Sequence, residues 1–305
     1  SCTITFKKNG TSLSTLIKTN AVNENGYRYE GINPNNYIQM EKTDGTKERW
    51  RIIGLFPDGA NGENVIRVRK VGYEEAAYDE GNHTTAYFNN TSKTNNKLLA
   101  YSDSISNKNY IAMPEICTGC VNHWPKTTLY TTLSSTYALA NYKNTVNYKM
   151  YLGGASDISS YKSQDLYDME RMLNNKGTAG KTSSTSYNST TIFNGSVGLM
   201  YPSDYGYAVL SSDCARTIQP YSYGKTSACY DNNWLYQGTR TFQWLISPLS
   251  SSVSEAFKVE WSGYLSNTSS GSGVSVSGSF SPVMALKADV VVTGSGTASD
   301  PYVMD

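Results

Sequence analysis

The sequence predicts an irregular, loop-rich α+β domain with short antiparallel strands and a few helices. Three observations carry that expectation: apolar and polar residues alternate in brief runs broken by Gly, Asn, Asp and Pro, one segment has clear helical spacing, and no Pro-rich or low-complexity linker divides the chain. Its 305 residues suffice for one large core. Thr3 to Phe6 alternates like a strand, and a single domain is expected with the first residues as the exception. Arg49 to Phe56 and Asn64 to Val71 read as a hairpin turned by Pro57 through Gly62. Helix-compatible spacing follows at Lys97 to Ile105 and Thr128 to Tyr142. The clearest helix runs from Gln164 to Asn174: Ser163 can cap it, Leu166, Met169 and Leu173 share a face, and Gly177 ends it. From Gly195 short strands and turns return, and the Gly/Ser-rich 263–279 reads as a loop or polar hairpin.

Lys+Arg 26 against Asp+Glu 25 leaves a net charge of +1, and charged residues are 17% of the chain where about 25% is usual. Nucleic-acid binding needs a basic stripe to displace counterions, and a membrane-surface helix needs a polybasic face; neither is present in the sequence. The chain instead carries 25 Tyr and 25 Gly among many Ser, Thr and Asn, a composition expected outside the cell. Apolar runs such as Ile111 to Met113 fall far short of the ~18 residues of a membrane span, so no membrane insertion is expected. The first residues lack a charged and apolar leader, as in a mature chain or an excised piece.

Cys2, Cys117, Cys120, Cys214 and Cys229 are odd in number. The last four allow three pairings, of which the local one, Cys117 with Cys120 and Cys214 with Cys229, closes short loops. Redox chemistry at Cys117-Thr118-Gly119-Cys120 is disfavoured because Pro114 and Pro125 break the helix such a motif needs, and zinc because Cys214 and Cys229 lie far apart in sequence. Structural disulfides are the expectation.

No nucleophile, base and oxyanion site come together in the sequence. There are two histidines, His83 in a polar loop and His123 beside Trp124, and no GxSxG, HExxH or phosphate-binding glycine loop. Glu170-Arg171 reads as a structural ion pair, and Glu74-Glu75 need not face each other. A non-enzymatic role is therefore expected. Binding is better served: Tyr201, Asp204, Tyr205 and Tyr207, together with Asp231, Asn233 and Trp234, set oxygen ligands beside aromatic rings, the groups that calcium and sugars use. No other cofactor is implied. The competing reading has these Tyr and Trp plugging the core while Asp and Asn cap turns. Asp204 and Asp231 are the pair to consider for a glycan-processing site.

Several stretches resemble a family of large, prepilin-like cell-surface proteins of gut Firmicutes and Mollicutes-related bacteria. They are Tyr27-Arg28-Tyr29, Asn33-Pro34-Asn35-Asn36-Tyr37, the run from Trp50 to Phe56, the run from Gly198 to Ala208, Asn233-Trp234-Leu235, Trp244 to Pro248, Ser281 to Lys287 and Pro301-Tyr302-Val303. The resemblance spans nearly the whole chain from about Tyr27. It implies an extracellular, cell-surface protein without known catalytic residues, either an adhesive head whose partner is a glycan or protein on a host or neighbouring cell, or a filament subunit whose partner is a copy of itself. Trp244 to Leu286 is also similar to the end of C-type-lectin-like and formylglycine-generating-enzyme-like domains, with Ser281-Pro282 where that pattern has Arg-Pro. In the resembling proteins a strand like Cys2 to Phe6 closes a preceding β-domain, which implies that 1–22 ends such a module or is a linker, that 23–305 is the surface domain, and that Cys2 has an upstream partner.

Overall fold

A computed structural model describes residues 10–71, 85–87, 124–180, 191–236, 242–251, 256–266 and 277–305. The expectations for Thr3 to Phe6, Lys97 to Ile105, Cys2, Cys117, Cys120, His83, His123 and Glu74-Glu75 lie outside the described residues. The architecture is α+β and rich in strands. A large sheet runs in the order Thr11–Ser12, Val291–Thr293, Tyr302–Met304, Tyr37–Glu41, Lys47–Phe56, Val65–Lys70, Val283–Lys287 and Val197–Gly198. Its neighbours pair antiparallel except Tyr302–Met304 with Tyr37–Glu41. A second sheet orders Leu265–Ser266, Ala256–Val259, Gln243–Pro248, Ser277–Ser279 and Thr85–Tyr87. Val283–Lys287 thus lies in the large sheet, while Gln243–Pro248 pairs with Ala256–Val259 and Ser277–Ser279.

Five α-helices accompany these strands among the described residues: α1 Leu13–Asn20, α2 Thr128–Thr136, α3 Ser163–Arg171, α4 Pro202–Tyr207 and α5 Ser227–Asp231. Leu13 and Ile17 of α1 are fully buried in the same core as residues up to Tyr302, so the described part of 1–22 packs into the domain. The expected hairpin is present as Lys47–Phe56 against Val65–Lys70. The 128–142 segment is divided: Thr127 caps α2 by accepting the Tyr130 N–H at 3.0 Å, and after Thr136 a 3₁₀ turn at Leu139–Asn141 brings Tyr142 edge-on to Trp50. Helix α3 is shorter than its sequence spacing predicts. Met172 turns left-handed at φ 53°, its N–H returns to the last-turn carbonyls, and Leu173 is 45% exposed rather than in the core. Its cap is Lys162, whose N–H is accepted by Asp165, while Ser163 is buried in the first turn.

Helix α4 begins at Pro202, whose fixed φ suits a first helical position, and Asp204 three residues into the start accepts the Tyr201 N–H at 3.0 Å. Its Asp204 bonds Arg28 and Arg67 of the large sheet, beside a bulge. Ile52 pairs with Val68 and Gly54 with Arg67, leaving Ile53 extra, so Arg51, Gly54 and Phe56 share a face with Arg69, Arg67 and Val65. Arg28 pairs with Gly54 from the other side. The row Arg28, Gly54, Arg67 therefore carries two long cations flanking a residue without a side chain. A Cβ on Gly54 would stand 2.0 Å from the Tyr27 carbonyl oxygen and 2.9 Å from the Phe56 ring.

Gly54→Ala is expected to destabilise the domain by about 1–3 kcal/mol, because backbone and not a flexible side chain blocks the new methyl. Urea denaturation of the purified variant measures this; an unchanged midpoint would mean that the strand shifts without cost.

Candidate functional site

The residues that looked most like a ligand site are brought together, but inside the protein. Tyr201, Asp204, Tyr205, Tyr207, Asn233 and Trp234 are all buried; Asp231, at the end of α5, is exposed. Asp204 Oδ1 accepts from Arg28 Nη1 at 2.6 Å and Arg67 Nη2 at 2.8 Å, while Oδ2 accepts from Arg67 Nη1 at 3.0 Å and from the Tyr201 N–H. The Tyr201 hydroxyl accepts the Tyr151 N–H at 2.7 Å, and the Tyr207 hydroxyl accepts from Asn25 at 3.0 Å. Asn233 donates to the Tyr205 carbonyl at 2.8 Å, and Trp234 donates its indole N–H to the Tyr29 carbonyl at 2.9 Å with Arg51 4.6 Å above its ring. These side chains hold the fold. Asp204 has no oxygen left for calcium and no open face for a carboxylate pair with Asp231, so neither the cation site nor the glycan-processing pair forms from these residues. Among the described residues no three His, Cys, Asp or Glu side chains group as a metal site.

Asp204 belongs to a larger buried cluster. Asp58 stands 3.6 Å from Arg67 Nε and 3.4 Å from Arg171 Nη2. Glu170 is 3.3 Å from Arg171, as the sequence predicts, and also accepts from the Ser203 N–H at 2.7 Å and the Ser203 hydroxyl at 2.6 Å. The guanidiniums lie on aromatic faces: Arg67 is 3.8 Å from the Phe56 centroid, Arg171 3.9 Å from Tyr167 and Arg28 4.9 Å from Tyr207. Arg28, Arg67 and Arg171 thus face Asp58, Asp204 and Glu170. The carboxylates respond differently to the same burial. Burial pushes Glu170 up to about 7, with Arg171 opposing only in part; at Asp204 burial pushes the same way, but Arg67 and Arg28 outweigh it and hold the group below its ordinary range.

The solvent-facing features lie elsewhere. A cleft of about 400 Å³ is lined by Asn20, Val22, Tyr29, Glu30, Asn35 and Leu210 among others. Its carboxylate, Glu30, is bonded to Arg216 at 2.6 Å. The second feature is a ring-covered surface around the Glu260–Tyr264 turn. The Gly263 N–H bonds the Glu260 carbonyl at 2.9 Å, which puts Trp261 at the outer corner, and Gly263 adopts φ +81° with the Tyr230 ring where a Cβ would go. The Tyr205 hydroxyl donates to the Gly263 carbonyl at 2.7 Å, and the Tyr236 hydroxyl donates to the Trp261 carbonyl. Tyr264 packs edge-on to Tyr221, and Tyr230 to Tyr236. Trp261 is 64% exposed and Tyr221 39%.

Tyr221 stands on a 3₁₀ helix, Pro220–Lys225, inside the loop closed by a disulfide between Cys214 and Cys229. That bridge is half of the local pairing, and closing a loop of this size is worth about 3 kcal/mol in the chain-entropy account. Asp231 was legible from the sequence as a candidate contact. Tyr221, Tyr230, Tyr236 and Tyr264 were not, although the signal was there: with Tyr223 they make five tyrosines within or near the disulfide loop and the Trp261-Ser262-Gly263-Tyr264 turn.

Asp204→Asn leaves Arg28 and Arg67 facing a neutral amide in the interior, and a loss of about 3–5 kcal/mol is expected in denaturant unfolding. The pH dependence has two limbs. Glu170 keeps its proton in the folded chain up to about pH 7, whereas the unfolded chain releases it near the ordinary 4.5, so this contribution is full below 4.5 and is lost as the pH rises through 7. Asp204, held below its ordinary 3.8, contributes above that value and its contribution is lost as the pH falls further. Thermal stability is thus expected to peak between about pH 4 and 5 and to decline toward pH 8, with Glu170→Gln flattening the upper limb. A melting temperature that rises from pH 5 to 8 contradicts this assignment.

No protein-family model matches this chain, and neither a curated protein nor a solved structure is detectably similar to it.

Proposed function

We propose that this chain is a non-catalytic binding head that works outside the cell, on a bacterial surface or appendage, and that the Glu260–Tyr264 turn with its surrounding rings is the face it presents. The observation that carries the reading is Trp261: the other four tryptophans are at most 5% exposed, and this one stands out of the surface on a turn that two tyrosine hydroxyls hold in place. A large ring left in water among further rings marks an interaction surface more often than a stray apolar residue, and a fixed scaffold lowers the entropy cost of binding. The location is supported by the Cys214–Cys229 bridge and by a charge-poor composition. No helix among the described residues is long and apolar enough to cross a membrane. Partners of this face are a glycan or protein on a host or neighbouring cell. A C-type-lectin-like arrangement of the last third is a narrower form of the reading and rests on the resemblance of Trp244 to Leu286 alone, whose Gln243–Pro248 and Val283–Lys287 strands lie in different sheets.

The test is adhesion. Beads coated with the purified chain are expected to adhere to mucin or to epithelial cells, and Trp261→Ala beads to lose most of that adhesion while the soluble variant keeps its melting temperature. Equal adhesion of the two coatings removes the Trp261 face as the working surface.

A further inference from the structure

We infer that the Trp261 face takes carbohydrate, and within that class an uncharged saccharide whose rings stack on Trp261 and Tyr221. The inference rests on the reading of this face as a binding surface and adds the class of ligand. The first argument is the kind of apolar surface offered. Within 220–236 and 256–266 the exposed large apolar side chains are Tyr221 and Trp261, both aromatic, with Tyr230, Tyr236 and Tyr264 partly buried beside them. No exposed Leu, Ile, Val or Met occurs in those ranges. Protein interfaces also favour Tyr and Trp, but as anchors that fill pockets in a closely packed patch. Flat rings with negative π faces suit a partner that presents polarised C–H groups on one side and hydroxyls around its edge, which is a description of a pyranose ring.

The second argument is charge. The same two ranges carry Lys225, Asp231, Lys258 and Glu260; Lys258 is buried and bonded to Glu260 at 3.0 Å, which leaves Lys225 and Asp231, one of each sign, exposed. Such a balanced face exerts little net pull on an anionic or cationic ligand. What it offers beside the rings is hydrogen bonding: the exposed Asp231 carboxylate can accept from two adjacent sugar hydroxyls, and Ser262 is partly exposed on the same turn as Trp261. The third argument is preorganisation. Sugars bind weakly because their hydroxyls must leave water, so a site for them benefits from a turn whose backbone needs no ordering. Here the Trp261 and Gly263 carbonyls are already held by Tyr236 and Tyr205.

Because the other four tryptophans are buried, fluorescence quenching by acrylamide reads Trp261 almost alone. Cello-, xylo-, manno- and chito-oligosaccharides form the neutral panel, with sialyllactose and oligogalacturonate as charged counterparts. At least one neutral oligosaccharide is expected to protect Trp261 from the quencher and to give a calorimetric isotherm. In calorimetry Trp261→Ala and Tyr221→Ala should weaken binding, the former by roughly tenfold or more, while Trp261→Phe retains part of it. Protection by charged sugars alone, or by none of the panel, overturns the inference. If no sugar binds but adhesion of the coated beads still depends on Trp261, the ligand class is wrong and the surface reading stands. If adhesion is also independent of Trp261, both fall.

Discussion

A carboxylate cannot be left alone in a protein interior, and Asp204 is the place where this chain meets that requirement. Its two oxygens take four hydrogen bonds, three from guanidiniums of distant strands and one from the start of its own helix. Much of the surrounding architecture follows. Arg28 and Arg67 must approach from the same sheet face, which the bulge at Ile53 arranges; the space between them must be empty, which Gly54 provides; and α4 must begin where it does, which Pro202 favours. The neighbouring Glu170, lacking so complete a set of cations, responds to the same burial by holding its proton.

Some of this was readable from residues alone. The Lys47–Phe56 and Val65–Lys70 hairpin has local alternation and a turn rich in Gly and Pro, and the apolar face of α3 has helical spacing, so both were visible in short windows. The pairing of Cys214 with Cys229 was one of three and is the one with the shortest loop. That Tyr201 and Tyr205 plug the core and Asp204 caps a turn was one of two readings; their partners were not readable, because those of Asp204 lie 176 and 137 positions away and those of Tyr201 and Tyr205 lie 50 and 58, and nothing in a local string encodes contacts of that range. An acid beside aromatic rings has the same spelling whether it faces water or guanidinium. Likewise Leu173 continues the periodicity of α3 but falls beyond a left-handed Met172, where periodicity no longer describes direction.

The abundance of tyrosine takes on a particular meaning in this fold. Tyr148, Tyr201, Tyr205 and Tyr223 are almost fully buried, and each hydroxyl reaches a backbone group: those of Tyr148, Tyr205 and Tyr223 donate to carbonyls of Val283, Gly263 and Gly206, and that of Tyr201 accepts an N–H. In a domain with many short strands and loops, backbone groups often lack a neighbouring strand, and a ring with a polar tip fills volume while satisfying them. Burial raises the phenols of Tyr201 and Tyr205 well above their ordinary value, which keeps the tips neutral. Among the described residues the tyrosines therefore serve largely internal construction, and the most exposed of them, Tyr221, packs against Tyr264 of the Trp261 turn.

That turn is held by its backbone. Tyr205 and Tyr236 grip it by carbonyl oxygens, which every amino acid carries, and Gly263 supplies its unusual backbone angle. The side chain at the corner takes no part in either anchor. A substitution at this corner therefore changes what the surface presents to solvent without breaking either anchor.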